Sequence, residues 1–202
     1  MTDVTAAYAG RAAEYTDLLG SMSAVHPSDR QLVESWADAV RGRALDAGCG
    51  PGHWTNHLDG RGLDVRGIDL VPSFIDHARA TYPEVRFGVG SIDHLDEPDA
   101  SLGGVLSWFS TIHHEPERIG APLAEFARTL RPGGLLLLGY FDGISTEPFD
   151  HAVVRAYRWP AEELHRLLQA VGFDVIETHR RTAEGQRPVG AILCRRRTLY
   201  LP

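Results

Sequence analysis

The sequence predicts an α/β fold: a doubly wound, mostly parallel seven-stranded sheet that closes with a C-terminal antiparallel hairpin. Two observations predict it. Short apolar runs of strand length alternate with segments of helical periodicity along most of the 202 residues, the pattern of a parallel sheet covered on both faces. The first of these runs leads straight into a glycine-rich turn, Gly48-x-Gly50-x-Gly52. In open sheets of this kind, ligands bind where strands end at their carboxyl edge.

Taken in chain order, the stretch 4–40 reads as two helical pieces, broken near Gly20 to Pro27 where Gly, Ser, His and Pro cluster. ALDAG (44–48) is a first strand, DVRGIDL (64–70) a second and VRFGVG (85–90) a third. GVLSWFS (104–110) is a fourth, and LLLLGYF (135–141) is a fifth whose unbroken apolar run predicts burial on both faces. DVIETHRRT (174–182) and VGAILCRR (189–196) are joined by AEGQRP, whose Gly and Pro predict a hairpin. Helices fill the gaps. Pro72 opens one running to about Thr81, since proline suits the first helical turn. A second covers 116–130 and is stopped by Pro132 and Gly133-Gly134. Pro160 opens a third, with Glu162 and Glu163 in its positive first turn and Gly172 just past its end.

Composition narrows the function classes. At 43% hydrophobic, the chain supplies one sizeable core rather than two. We therefore read 1–202 as a single domain, with a core over 41–140, a cover over 141–160 and a closing helix and hairpin over 161–202. The formal net charge of −7 is opposite to what a phosphate-gripping protein needs, so nucleic acid is not an expected partner. No apolar run approaches the roughly 18 residues of a membrane-spanning helix. The charged N-terminus has no signal-peptide core, so a cytoplasmic protein is expected. Cys49 and Cys194 are then reduced thiols rather than a disulfide.

The glycine loop gains meaning from Asp69, which ends the second strand 21 positions after Gly48. An acidic side chain there can accept hydrogen bonds from both hydroxyls of a ribose. Together the two features point to an adenosine-containing cofactor. Leu45-Asp46-Ala47-Gly48-Cys49-Gly50-Pro51-Gly52 resembles the first motif of class I S-adenosylmethionine-dependent methyltransferases, with its acidic residue two places before the first glycine. The nicotinamide fingerprint G-x-G-x-x-G is not met at the needed spacing, which argues against an oxidoreductase. Gly90-Ser91-Ile92 resembles the stretch that flanks the adenine, with Ser91 where many relatives carry Asp. Ser107-Trp108-Phe109-Ser110-Thr111-Ile112-His113-His114 resembles the fourth-strand motif of members acting on small molecules. Leu130-Arg131-Pro132-Gly133-Gly134 resembles the family's turn into the fifth strand.

The resemblance covers roughly 40–196. It implies a Rossmann-like fold with a helical lid over 1–40 and S-adenosylmethionine as cofactor. The cofactor residues it implies are Asp46, Gly48, Cys49, Gly50, Gly52, Trp54, Asp69, Leu70, Ser91, Ile92 and Trp108, with Tyr15 from the lid and Asp46 meeting the cofactor's ammonium. Tyr8 lies in the same lid region. The Ser-Trp-Phe-Ser at the fourth strand is not the Asn/Asp-Pro-Pro-aromatic of enzymes that methylate bases or glutamine. Neither an acidic metal ligand beside Trp108 nor a zinc-type Cys/His spacing is present, so no metal is expected.

What remains is a small-molecule acceptor methylated on oxygen, nitrogen, carbon or sulfur. His114, or its neighbour His113, is positioned to remove the acceptor's proton; either residue can instead cap the next helix or line the cofactor pocket. Phe109, Tyr140, His151, Tyr157 and Arg158 are the expected acceptor-side residues. If 141–159 is helical, His151, Arg155 and Arg158 share one face, which is either solvated or suited to an anionic acceptor. The protein is expected as a monomer or homodimer. The alternative is a non-catalytic S-adenosylmethionine-binding protein or partner subunit.

Overall fold

In a computed structural model, the described residues are 5–8, 10, 11, 16 and 20–198. Tyr15 lies outside them. Residues 5–8, 10, 11 and 16 are helical. Helix α1 (Pro27–Ala39) begins where His26 Nδ1 accepts the Ser28 amide, with Pro27 in the first turn. Both features fit the start of a helix: the cap satisfies an orphan N–H and proline lacks one.

Strand β1 (Ala44–Ala47) is followed by α2 (His53–Gly60), β2 (Val65–Asp69), α3 (Pro72–Thr81), β3 (Arg86–Val89) and β4 (Leu102–Trp108). Then come α4 (Gly120–Thr129), β5 (Leu130–Asp142), β6 (Glu147–Phe149), β7 (Ala156–Trp159), α5 (Ala161–Ala170), β8 (Phe173–Arg181) and β9 (Val189–Arg196). Strands β1 to β5 pair in parallel in the order β3-β2-β1-β4-β5. β9 runs antiparallel along β5, and β8 along β9. These seven strands are the predicted doubly wound sheet.

Two apolar layers cover it. On one side Val33, Trp36, Trp54 and Leu58 of α1 and α2 pack with Leu106, Leu135 and Leu137 of the sheet. On the other, Leu123 and Phe126 of α4 and Leu164 and Leu168 of α5 pack with Val105, Leu136 and Leu138. Adjacent side chains of β4 and β5 thus point into opposite layers, as strand geometry requires. Residues on both faces must be apolar, which is why these two strands read as continuous hydrophobic runs. Chain order reverses between β1 and β4, so the turns leaving these strands diverge and open a crevice at their carboxyl ends.

Segment 141–160 departs from the sequence reading. It is not helical: β6 and β7 form an antiparallel hairpin, and β7 pairs in parallel with Phe141 and Asp142 at the end of β5. β9 already holds the far edge of β5 as far as Phe141, so β7 occupies the lane beyond the end of β4. The Tyr157 amide donates to the Ile112 carbonyl at 2.8 Å, tying the hairpin to the loop after β4. His151, Arg155 and Arg158 therefore do not share a helical face. Cys49 and Cys194 are buried free thiols.

Candidate active site

The glycine loop is shaped by what crowds it. Gly48, Gly50 and Gly52 all have positive φ, at 83°, 54° and 88°, a region that disfavours any side chain. A Cβ on Gly48 would stand 2.3 Å from the Ser110 Cβ, so the β1 and β4 turns touch only because Gly48 lacks one. A Cβ on Gly52 would meet Phe87 and Ala78. A Cβ on Gly50 would meet nothing within 4 Å, leaving that backbone open to the crevice. Asp69 secures the loop: its carboxylate accepts the amides of Gly50 and Val71, each at 2.9 Å. Burial pushes its pKa up, and those amide contacts oppose the shift.

Asp46 has a different place from the one expected. It is 1% exposed, accepts the Thr55 hydroxyl at 2.7 Å, and does not line the crevice. Burial pushes its pKa up to about 7. It braces the loop from beneath through Thr55.

At the end of β4, Phe109 holds a φ of 58°, backbone strain of the kind found at functional sites. Its ring stands against Trp108 and Phe141, with centroids 5.5 and 5.2 Å away. Gly139 makes room for both, since a Cβ there would lie 3.0 Å from the Trp108 ring. The next turn carries the two histidines. His113 Nδ1 lies 2.8 Å from the Arg155 carbonyl, which only accepts, so Nδ1 carries the proton. Burial lowers the His113 pKa, favouring the neutral ring. Nε2 is then a lone pair, and the Tyr8 hydroxyl donates to it at 2.8 Å. His114 is the opposite case. Its Nε2 lies 2.7 Å from the Asp93 carboxylate and its Nδ1 3.3 Å from the Thr111 carbonyl. Both ring nitrogens face acceptors, so neither offers a free lone pair. Of the two rings, that of His113 and not that of His114 has a nitrogen with no acceptor against it.

These elements enclose a cavity of about 660 Å³, within the range of small-molecule sites. Gly48, Gly50, Asp69, Leu70 and Ile92 line its β1–β3 end; Trp108, Phe109, His113, His114 and Tyr157 line the remainder. Other expected residues lie elsewhere. Cys49 and Trp54 are buried in the core, and Gly52 is a helix cap. The Ser91 hydroxyl accepts the Asp93 amide within its own turn and is not on the wall. Tyr140 points into the core beneath Gly190. Arg158 lies over the Phe149 ring. His151 stands behind His113, ring centroids 5.3 Å apart, and burial drops its pKa to about 4.

The sequence reading missed Ser110, Val71, Phe74 and Arg118 on the wall, named Arg155 only on a conditional helical face, and gave Tyr8 no role beyond the lid region. Ser110 and Val71 were legible as neighbours of the motifs; the others reach the cavity only through tertiary packing. Among the described residues, no group of three or more His, Cys, Asp or Glu side chains is arranged to hold a metal ion. None of the described helices is long and apolar enough to cross a membrane.

A profile of the methyltransferase domain family matches residues 44–134. The malonyl-[acyl-carrier protein] O-methyltransferase of Yersinia pestis is 33% identical over 137 residues, covering 65% of this chain and 48% of that one. The dTDP-3-amino-3,4,6-trideoxy-alpha-D-glucopyranose N,N-dimethyltransferase of Streptomyces venezuelae is 32% identical over 114 residues, covering 50% and 46%. The chain thus spans about half the length of these curated relatives. The fold is similar to that of Burkholderia thailandensis 1,6-didemethyltoxoflavin-N1-methyltransferase, solved with 1,6-didemethyltoxoflavin and S-adenosylhomocysteine bound. The TM-score is 0.80 at 22% identity, covering 98% of this chain and 88% of that one.

Proposed function

We propose that the chain is a class I S-adenosylmethionine-dependent methyltransferase that methylates a small-molecule acceptor in the cavity between the β1 and β4 turns. One observation carries the reading: Asp69 and the open backbone at Gly50 share a cavity wall with His113, whose Nε2 carries a lone pair. The β1–β3 end fits the cofactor. Gly50 has room for ligand atoms against its backbone. A carboxylate has about four lone-pair sites, so Asp69 keeps some for ribose hydroxyls while holding two loop amides.

Bound S-adenosylmethionine supplies a methyl carbon activated by a sulfonium. The chain's own contribution is alignment and proton removal. Trp108, Phe109 and Tyr157 enclose the acceptor, and Thr5 and Tyr8 close the cavity from the N-terminal helical stretch. His113 Nε2 takes the acceptor's proton once the Tyr8 hydroxyl yields its place, while Nδ1 keeps its own proton and donates it in a hydrogen bond to the Arg155 carbonyl. No step needs a metal. The same reading takes 1–202 as one domain, with 1–40 as lid and 141–160 as acceptor-side cover. The relatives named above carry O- and N-methyltransferase names, which leaves the acceptor atom open.

Calorimetry with S-adenosylmethionine, S-adenosylhomocysteine and NAD tests the cofactor. The first two should bind and NAD should not, and Asp69→Ala should weaken S-adenosylmethionine by roughly 10- to 100-fold. Unchanged affinity in that variant would remove Asp69 from the site. Tight binding with no turnover on a broad acceptor panel would favour a non-catalytic S-adenosylmethionine-binding protein.

A further inference from the structure

All 20 basic side chains of this protein are arginines, and most are engaged within the fold. Arg43 and Arg66 pair with Glu97, Arg128 with Asp99 and Glu125, Arg181 with Asp29, and Arg197 with Asp174. Arg118 and Arg155 differ. Both line the cavity, and both are exposed. Among the described residues, no hydrogen bond or ion pair engages either guanidinium. One comes from the loop that leaves β4, the other from the segment leading into β7, which carries the carbonyl that orients His113.

Two carboxylates share the wall. Asp69 is held by the amides of Gly50 and Val71, and Glu115 forms no ion pair with either arginine. Two guanidiniums against one uncommitted carboxylate leave the outer part of the cavity short of an anion. Guanidinium forks match carboxylate and phosphate oxygens in a fixed, bidentate geometry, and a cavity between low-dielectric walls strengthens such pairing. The aromatic rings of Trp108, Phe109 and Tyr157 beside them suit a carbon skeleton.

We propose that Arg118 and Arg155 bind an anionic group of the acceptor, a carboxylate or a phosphate, and thereby set its nucleophile before His113. This rests on the reading of the cavity as a methyl-acceptor site. The charge orients the acceptor from the outer end, while the cofactor end is held by the glycine loop. An acceptor lacking the anion enters the same cavity without a fixed pose.

The test uses the full chain with S-adenosylhomocysteine, and three probes of one skeleton: benzoate, phenyl phosphate and the neutral benzamide. Trp108 fluorescence and calorimetry report binding. At least one anion should bind about tenfold or more tightly than benzamide and weaken as salt rises. Arg118→Met and Arg155→Met, which keep an apolar stem, should each weaken that anion by about tenfold. Arg166→Met and Arg195→Met, unpaired arginines away from the cavity, should not. Which anion prefers wild type separates a carboxylate from a phosphate acceptor. Equal binding of all three probes, or no loss in the Arg118→Met/Arg155→Met double variant with an unchanged melting temperature, would overturn the proposal. Failure of S-adenosylhomocysteine to bind would instead bring down the methyltransferase reading, and the probe titrations in the protein alone would still decide the anion site.

Discussion

The Tyr8 hydroxyl and the His113 Nε2 stand 2.8 Å apart although 105 positions separate them in the chain. The pair joins the N-terminal helical stretch to the loop after β4, at the cavity wall. With Nδ1 committed to the Arg155 carbonyl, the imidazole is fixed in one tautomer, and its only basic nitrogen faces the hydroxyl. Such a hydroxyl occupies the place an acceptor's own O–H or N–H would take.

From this geometry, His113→Gln should lower kcat by roughly 10²–10⁴-fold with S-adenosylhomocysteine affinity little changed. The wild-type rate should also depend on pH in a particular direction. The His113 pKa lies below its ordinary value of 6.5, so the basic form persists through neutrality and is lost only in more acid solution. A pH–rate profile at saturating cofactor checks this; a break above 6.5 would contradict the assignment.

Asp93 gives the complementary prediction for His114. Asp93→Asn weakens a charge-assisted contact to a ring that is mostly buried. Stability should fall by about 1–3 kcal/mol while the chemical step persists. Denaturant titration and single-turnover kinetics separate the two. A loss of rate as large as that of His113→Gln, at unchanged stability, would return the base to His114.

How much of this the sequence carried follows from how local each signal is. The strands β1, β4 and β5 were legible because burial on both faces imposes apolar runs, whereas β8, mostly exposed, was legible from the Gly- and Pro-containing turn that joins it to β9. Gly48 and Asp69 were legible because a turn against a neighbouring strand and a strand-end carboxylate are short-range demands. The β6–β7 hairpin was not: EPFDHAVVRAYRW mixes apolar and charged residues without a period, and its strand state depends on β5 and on the Ile112 carbonyl. The choice between His113 and His114 depends on what each ring nitrogen meets, and those partners lie 21 to 105 positions away or in a turn. The sequence could not show that the Ser91 hydroxyl is also used by its own turn, a competition common for serine.

The loop glycines should separate folding from binding. Gly48→Ala places a Cβ 2.3 Å from Ser110 at a φ of 83°, so the protein should be strongly destabilised. Gly50→Ala meets no atom within 4 Å and should cost only about 1–2 kcal/mol from its left-handed backbone, yet weaken S-adenosylhomocysteine. Melting curves beside calorimetry would show it. A Gly50→Ala protein that binds the ligand normally would mean the loop backbone is not the contact surface.

Asp46 yields a prediction about stability that does not involve turnover. Its folded pKa of about 7 lies above its ordinary 3.8, chiefly through burial. A carboxyl raised in this way is easier to bury protonated than ionised. Folding therefore gains from falling pH between about 7 and 3.8, and the cost of burying the charge is complete above pH 7. Each pH unit across that window corresponds to about 1.4 kcal/mol, so the total is a few kcal/mol. Asp46→Asn keeps an oxygen to accept the Thr55 hydroxyl and removes the charge. The variant should be more stable than wild type at pH 8, and the difference should shrink as the pH falls below 7 and be nearly gone at pH 4. Denaturant unfolding at pH 4, 6 and 8 measures it. If the variant is less stable than wild type at pH 8, the ionised carboxylate must contribute attractive contacts that outweigh its desolvation, and its role as a buried brace of the loop would have to be replaced by that of a buried charge partner.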